Sequence, residues 1–90
     1  MKAVRPTTRF RRDFKLALKR GKDDKKLERI VTQLMRSEPL EAKHRPHRLK
    51  GDMNGLWECH IEPDWLLIWD ETATEIILVR CGSHADLFKE

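Results

Sequence analysis

The sequence has no apolar run long enough to cross a bilayer, and its first residues contain no apolar core of a signal peptide. It has only two cysteines, Cys59 and Cys81, both inside strand-like apolar segments. Disulfides are typical of exported proteins, so we expect a cytoplasmic protein with reduced, buried thiols. Repeats and low-complexity segments are also missing, and the length predicts a single domain over residues 1–90.

Common catalytic and metal-binding motifs are missing as well. There is no GxxxxGK(S/T) phosphate loop, no GxGxxG dinucleotide motif and no GxSxG nucleophile turn. His47, His60, His84 and Asp64 are chemically possible zinc ligands. Their spacing matches neither HExxH nor a pair of CxxC motifs, so we expect no metal and no cofactor.

Charge is plentiful but unevenly distributed. Residues 1–50 contain 17 Lys and Arg against 6 Asp and Glu, whereas residues 51–90 contain 2 against 9. The net charge of +4 therefore hides a basic first half and an acidic second half. This asymmetry indicates a basic helical layer that binds polyphosphate or an acidic protein partner. The alternative is a pair of solvated helix faces without a ligand.

Two amphipathic helices are predicted in the first half, because apolar residues recur there at helical spacing. Thr7 or Thr8 can cap the first helix, and Asp23 or Asp24 the second. The turn between them is short, so the helices should form an antiparallel hairpin. The apolar positions are Phe10, Phe14, Ala17 and Leu18 in the first helix and Leu27, Ile30, Val31, Leu34 and Met35 in the second.

Strands are predicted on both sides of these helices. A weak first strand lies in 2–7, and three short apolar segments follow at 56–61, 65–69 and 76–81. Tight connectors join the last three, so they should pair antiparallel. The result is an α+β fold of order βααβββ, with the two-helix hairpin packed on one face of a small antiparallel sheet. The polar loop 38–54 is longer than most connections, and such loops are often functional.

Alternation within the strands predicts which side chains leave the helix-covered face. His60 should project from the opposite face beside Glu58, and Arg80 should project there too. Asp64 follows a proline turn, where it can approach His60 or reach His47. A carboxylate in that position would fix the imidazole tautomer and raise its basicity.

The other candidate residues lie in the loop and at the C-terminus. His44, Arg45 and His47 of the loop can contact phosphate. His84 and Phe88 are four residues apart, so one short helical turn would bring them to the same side. Phe88 would then either close the core or stack on a base while His84 exchanges a proton.

Three segments carry a family resemblance: His47–Gly51, His60–Trp65 and Arg80–Phe88. They resemble the YafQ branch of the RelE toxin superfamily, and the resemblance covers most of the chain. It implies a RelE-like fold and a type II toxin, a small ribonuclease that cuts messenger RNA in the A site of the 70S ribosome. It also implies a cognate antitoxin, typically of the ribbon–helix–helix type, whose acidic segment would cover the basic surface.

The resemblance also implies roles for individual residues. The implied catalytic residues are His47, His60, Asp64 and His84, and the implied RNA- or phosphate-binding residues are Arg48, Lys50, Arg80 and Phe88.

The mechanism that these residues suggest is metal-independent acid and base catalysis. His84 would act as the acid, and His47 or His60, oriented by Asp64, as the base. Arg80, with Lys50, would stabilise the charged phosphorane. The alternatives are a non-catalytic RNA- or ribosome-binding module with structural histidines, and a zinc-dependent hydrolase.

Overall fold

The computed structural model describes residues 1–88. The predicted order of one strand, two helices and three strands is confirmed, and a two-residue strand and a one-turn C-terminal helix are added to it. The helices are α1 (Thr8–Lys19), α2 (Asp24–Met35) and α3 (His84–Phe88), and the strands are β1 (Ala3–Pro6), β2 (His47–Arg48), β3 (Trp57–Glu62), β4 (Trp65–Glu71) and β5 (Glu75–Gly82).

The five strands form one sheet in the order β1-β5-β4-β3-β2. Strands β3 to β5 pair antiparallel as predicted, and β2, which was not predicted, also pairs antiparallel with β3. Strand β1 pairs parallel with β5, so the sheet is mostly rather than wholly antiparallel. Thr7 explains this placement, because its backbone N–H donates to the carbonyl of Leu78 and its hydroxyl to that of Val79. The last residue before α1 is therefore still hydrogen-bonded to β5.

The helices begin where the sequence provides a cap. The Thr7 hydroxyl accepts the backbone N–H of Phe10 at 3.1 Å, and the Asp23 carboxylate accepts that of Lys25 at 3.0 Å. Each bond satisfies an N–H group that has no partner inside the helix. Of the two candidates named for each cap, the structure uses Thr7 and Asp23. None of the helices in residues 1–88 has the length and apolar character to cross a membrane.

The main core lies between the helical hairpin and one face of the sheet. Strand β4 is central and buried on both faces, which explains its uninterrupted apolar sequence. Cys59 and Cys81 are buried in this core as free thiols, and burial raises the pKa of each to about 12. The buried residues of this core are Phe10, Ala17, Leu27, Ile30, Leu34, Cys59, Ile61, Trp65, Leu67, Trp69, Ile76, Leu78 and Cys81.

A bulge in the β4–β5 pairing changes which β5 side chains face the helices. Ile76, Leu78 and Cys81 all belong to the helix-facing core, whereas Val79 packs on the opposite face. An extra residue in one strand reverses the alternation beyond it. The predicted grouping, with Val79 beside Cys81 and Ile76 and Leu78 beside Arg80, is therefore wrong.

The opposite face of the sheet is covered by a smaller apolar cluster rather than left open. Its buried members come from β4 and α3, and its partly buried members from the loop before β3, from β5 and from α3. They are Leu66, Ile68 and Leu87, with Leu49, Met53, Leu56, Val79 and Phe88 packed against them. The long polar loop thus has a structural role, because its last part covers the end of the sheet near α3.

The main core should dominate stability. We expect Leu67→Ala to lower the free energy of unfolding by about 2–5 kcal/mol, because the side chain is fully buried in the central strand and its loss leaves a cavity. Urea denaturation measures this change. Leu18→Ala is the matched control, since Leu18 is 45% exposed in α1. Equal losses for the two variants would contradict the assigned position of the core.

Candidate active site

The central contact of the site joins Asp64 to His84. One carboxylate oxygen, Asp64 Oδ1, accepts the backbone N–H of His84 at 2.9 Å and lies 2.6 Å from its ring Nδ1. A carboxylate without a proton can only accept, so Nδ1 carries the hydrogen and Nε2 is left for a substrate. These two hydrogen bonds lower the pKa of Asp64, and the bond from the backbone N–H of His84 has the larger effect.

This contact differs from the expected one. Asp64 was expected beside His60 or His47, but its carboxylate binds His84. The reason is the position of α3, whose first residue meets the turn between β3 and β4. The predicted proximity of Asp64 to an imidazole is confirmed, and the predicted partner is wrong.

His60 lies next to this pair on β3. Its ring centroid is 5.6 Å from that of His84, with the two planes at 75°. Within residues 1–88 the His60 side chain makes no hydrogen bond, so its nitrogens face no protein partner. Burial is the largest cause that lowers the pKa of His60, while the Glu58 carboxylate raises it and the charges of His84, Arg45 and His47 lower it further.

His47 lies at the edge of the site and is held from two sides. Its Nδ1 is 2.8 Å from the carbonyl of Arg45, and its Nε2 is 3.3 Å from Oε1 of Glu58. Both ring nitrogens therefore face oxygen acceptors. The expected gathering of His47, His60 and His84 around one region is thus found, with His60 in the middle.

Glu58 is the residue whose importance the sequence did not reveal. It is 5% exposed, and in the described chain its Oε2 has no hydrogen-bond partner. Its position two residues before His60 placed both side chains on one face of β3, but nothing in the sequence showed that His47 would cross to it from β2. That pairing depends on the register of a two-residue strand.

Arg80 does not join His60, contrary to expectation. Its guanidinium binds the Asp13 carboxylate of α1 through Nε at 2.7 Å and Nη2 at 3.3 Å. The physical reason is the packing of α1 on β5: Asp13 also accepts the backbone N–H of Cys81 at 3.2 Å, so its carboxylate lies within reach of Arg80. Arg80 thus connects α1 to β5. Its role in binding RNA stays a prediction, and the ion pair with Asp13 argues against it.

The helix α3 is held by a second carboxylate. Asp86 accepts hydrogen bonds from Arg20 of α1 at 2.6 and 3.3 Å and from the backbone N–H of Ser83 at 2.9 Å. The hydrogen bond from Arg20 is the largest cause that lowers the pKa of Asp86, to about 2. Gly82 permits the approach, because a Cβ there would lie only 2.9 Å from the Cβ of Asp86.

The remaining predicted RNA-binding residues lie at the surface near the site. Phe88 is half-buried in the smaller apolar cluster, which agrees with the alternative in which it closes the core. Arg48 places its guanidinium 5.0 Å from the centroid of the Trp57 ring. Lys50 is exposed at the end of the segment after β2. Their contacts with RNA stay predictions.

Chemically, the site combines a carboxylate-bound histidine with a second histidine whose ring is free. Such a pair can donate one proton and accept another at neutral pH. Among residues 1–88 no three His, Cys, Asp or Glu side chains are arranged to hold a metal ion.

Comparison with known proteins identifies the family. A model of the bacterial toxin of type II toxin–antitoxin systems, YafQ, matches residues 2–89. The chain belongs to the YafQ family. The resemblance seen in the sequence is thereby confirmed.

Individual relatives agree with this assignment. The YafQ-family chain is 41% identical over 80 residues to the mRNA interferase toxin YafQ of Escherichia coli K12, which covers 88% of this chain and 87% of that protein. A copper-bound mutant toxin from Helicobacter pylori has a TM-score of 0.94 at 38% identity and covers 98% and 100% of the two chains. YafQ in the E. coli DinJ–YafQ toxin–antitoxin complex has a TM-score of 0.88 at 38% identity, with 97% of each chain covered.

The electrostatics of His60 in this YafQ-family chain can be measured directly. We expect NMR titration of its ring to give a pKa below the usual 6.5, and Glu58→Gln to lower it further by removing the charge that favours the imidazolium. Between that pKa and 6.5 the unfolded chain binds more protons, so stability should rise with pH across this window.

Glu28→Gln is the control for loss of one negative charge, since Glu28 is exposed on α2. It should leave the His60 titration unchanged. A rise in the His60 pKa on Glu58→Gln would show that the carboxylate does not act on His60 as described.

Proposed function

We propose that this protein is an endoribonuclease that cuts messenger RNA in the ribosomal A site by metal-independent acid and base catalysis. The observation that carries the proposal is the His60–His84 pair, 5.6 Å apart, with His84 held by Asp64. A linkage whose 2′-hydroxyl lies against one ring and whose 5′-oxygen lies against the other satisfies the requirements for cleavage. The name of the E. coli relative, an mRNA interferase, supports the same reaction.

In this mechanism His60 is the base. Its pKa is lowered, so the ring is neutral at pH 7 and has a lone pair available. His47 is less suited, because both of its nitrogens face oxygen acceptors. His60 would remove the proton from the 2′-hydroxyl, and the 2′-oxygen would then attack the phosphorus.

His84 is the acid. Its Nδ1–H is held by Asp64, so the ring presents Nε2 to the leaving 5′-oxygen, to which it would give a proton. The products are one RNA end with a 2′,3′-cyclic phosphate and another with a 5′-hydroxyl. Because Arg80 is engaged by Asp13, charge on the phosphorane must be offset by cations that remain exposed, of which Lys50 is the predicted one.

The partners follow from the charge of the surface and from the relatives. The basic helices suit contact with ribosomal RNA, and the same surface suits an acidic segment of an antitoxin. The E. coli relative has been solved in complex with DinJ, its antitoxin, which supports a cognate antitoxin here, by our proposal of the ribbon–helix–helix type. We place the toxin in the cytoplasm, where translated messenger RNA is found.

The sharpest test is cleavage of translated messenger RNA by wild-type protein and by His84→Ala. We expect the variant to lose at least about 100-fold in rate, since a positioned acid contributes about 10²–10⁴-fold. Mapping the RNA ends by primer extension, with and without ribosomes, also tests ribosome dependence and the chemistry of the termini.

Thr74→Ala is the control, because Thr74 is an exposed residue of the turn between β4 and β5, outside the site and outside the basic helices. A folded His84→Ala protein with wild-type cleavage would exclude His84 as the acid. Protection of RNA without cut ends by the wild-type protein would favour a binding module that is not an enzyme.

A separate experiment tests metal independence. We expect the rate of cleavage to be the same after exhaustive dialysis against a chelator, because proton transfer by His60 and His84 requires no metal. The chelator is removed before ribosomes are added, so that their Mg²⁺ is preserved. Loss of activity that Zn²⁺ or Cu²⁺ restores would replace this mechanism with a metal-dependent one.

A further inference from the structure

A cavity of about 550 Å³ opens beside His60, between the first turns of α2, the 3₁₀ turn Ala42–His44 and the edge of β3. Its apolar wall includes Ile30, Ile61 and Pro63. The strand edge is available here because β2 pairs with β3 only at its beginning. The cavity thus begins at the proposed base and extends away from His84, and its size is that of a small-ligand site.

The acidic side chains of this cavity are already neutralised. Glu62 binds Lys22 and Lys26, each at 2.8 Å. Glu41 lies 3.7 Å from Lys43. Neither carboxylate therefore offers an uncompensated negative charge to a ligand.

Two arginines of the cavity are in the opposite situation. Arg29 of α2 and Arg45 of the loop both line it, and in residues 1–88 neither guanidinium forms an ion pair or a hydrogen bond. Guanidinium groups bind phosphate through two parallel hydrogen bonds, so two of them at one cavity suit a phosphodiester.

The backbone at Arg45 is held in an unusual conformation. Its φ of +46° lies in the left-handed region that residues other than glycine rarely adopt. Two contacts fix it there: its N–H donates to the carbonyl of Ala42, and its carbonyl accepts from the ring of His47. Arg45 lines the same cavity as His60, and its charge lowers the pKa of that ring. Strain of this kind is concentrated at functional sites.

His44 anchors the same loop. Its Nδ1 lies 2.7 Å from the carbonyl of His60 and donates to it. The loop that carries Arg45 is therefore attached to the strand that carries the base. The position at which a ligand contacts Arg45 is therefore fixed relative to the position at which it contacts His60.

We propose that this cavity binds a nucleotide adjacent to the scissile linkage in single-stranded RNA, with its phosphate on Arg29 and Arg45 and its sugar or base against the apolar wall. The proposal rests on the proposed function, because it places the cleaved linkage at His60. Cations combined with an apolar surface are how proteins hold unpaired nucleotides. Continuity with His60 favours RNA over an acidic antitoxin segment as the occupant.

Binding of a fluorescein-labelled single-stranded RNA with 2′-O-methyl groups tests this site, because that RNA cannot be cut. Fluorescence anisotropy measures the Kd of wild-type protein, of Arg29→Gln/Arg45→Gln, and of the control Arg12→Gln/Arg36→Gln. The control removes the same charge from exposed positions outside the cavity. We expect the cavity variant to bind at least about tenfold more weakly than the control, because each lost contact involves a charged group. Arg45→Lys with Arg29 intact should bind more tightly than Arg45→Gln.

Equal affinity of the two double variants, or no measurable binding by wild-type protein, would overturn the proposal. A poly-glutamate peptide tests the other occupant: if the cavity variant loses the peptide but keeps the RNA, the site binds protein instead. Cleavage by the wild-type protein separates the two proposals, because it tests the proposed function without any change to the cavity. If the wild-type protein cuts RNA and the cavity variant binds RNA as well as the control does, the cavity site is refuted while the proposed function stands.

Discussion

The bond between Asp64 and His84 is the constraint on which the site depends. It joins a turn between two strands to the first residue of α3, 20 positions later in the chain. The same oxygen orients both the backbone and the ring of His84, so the position of the helix and the tautomer of the imidazole are determined together. Without this bond α3 would still pack through Leu87, but nothing would select which ring nitrogen faces the substrate.

Several other contacts also hold α3 in position. Arg20 and Asp86 connect it to α1, and Gly82 allows the chain to turn closely against Asp86. Leu87 then fills the smaller apolar cluster on the face away from the helical hairpin. The site is therefore built on a short helix that is supported from both faces of the sheet, which explains how a single turn can hold a side chain in place.

Much of the fold could be predicted from the sequence because its signals are local. The helical spacing that begins at Phe10 and Leu27, the caps, and the uninterrupted apolar sequence of β4 each depend on neighbouring residues alone. The parallel pairing of β1 and the bulge in β5 depend on contacts between distant segments, so no local sequence pattern predicts either of them. The packing of α1 on β5 is also a long-range contact, and it brings the carboxylate of Asp13 to Arg80, which was predicted to bind RNA.

The site shows the same division. The three histidines and Asp64 could be chosen from residue chemistry and family resemblance, but their pairing could not. Glu58 lies two residues before His60 and Asp64 four residues after it, yet each contacts a different histidine, His47 and His84. Which carboxylate contacts which histidine depends on the strand register and on the position of α3. Alternation along a single strand predicts neither of these.

The openness of the site bears on why the ribosome would be needed. The side chains of Asp64 and His84 are 66% and 41% exposed, so water screens the attraction between them. Exclusion of water strengthens such interactions and fixes the reacting groups. In the free protein only Glu58 is deeply buried among the groups around His60. A surface that encloses Asp64 and His84 from outside would complete the site, and under the proposed function the ribosomal RNA that receives the basic helices would provide it.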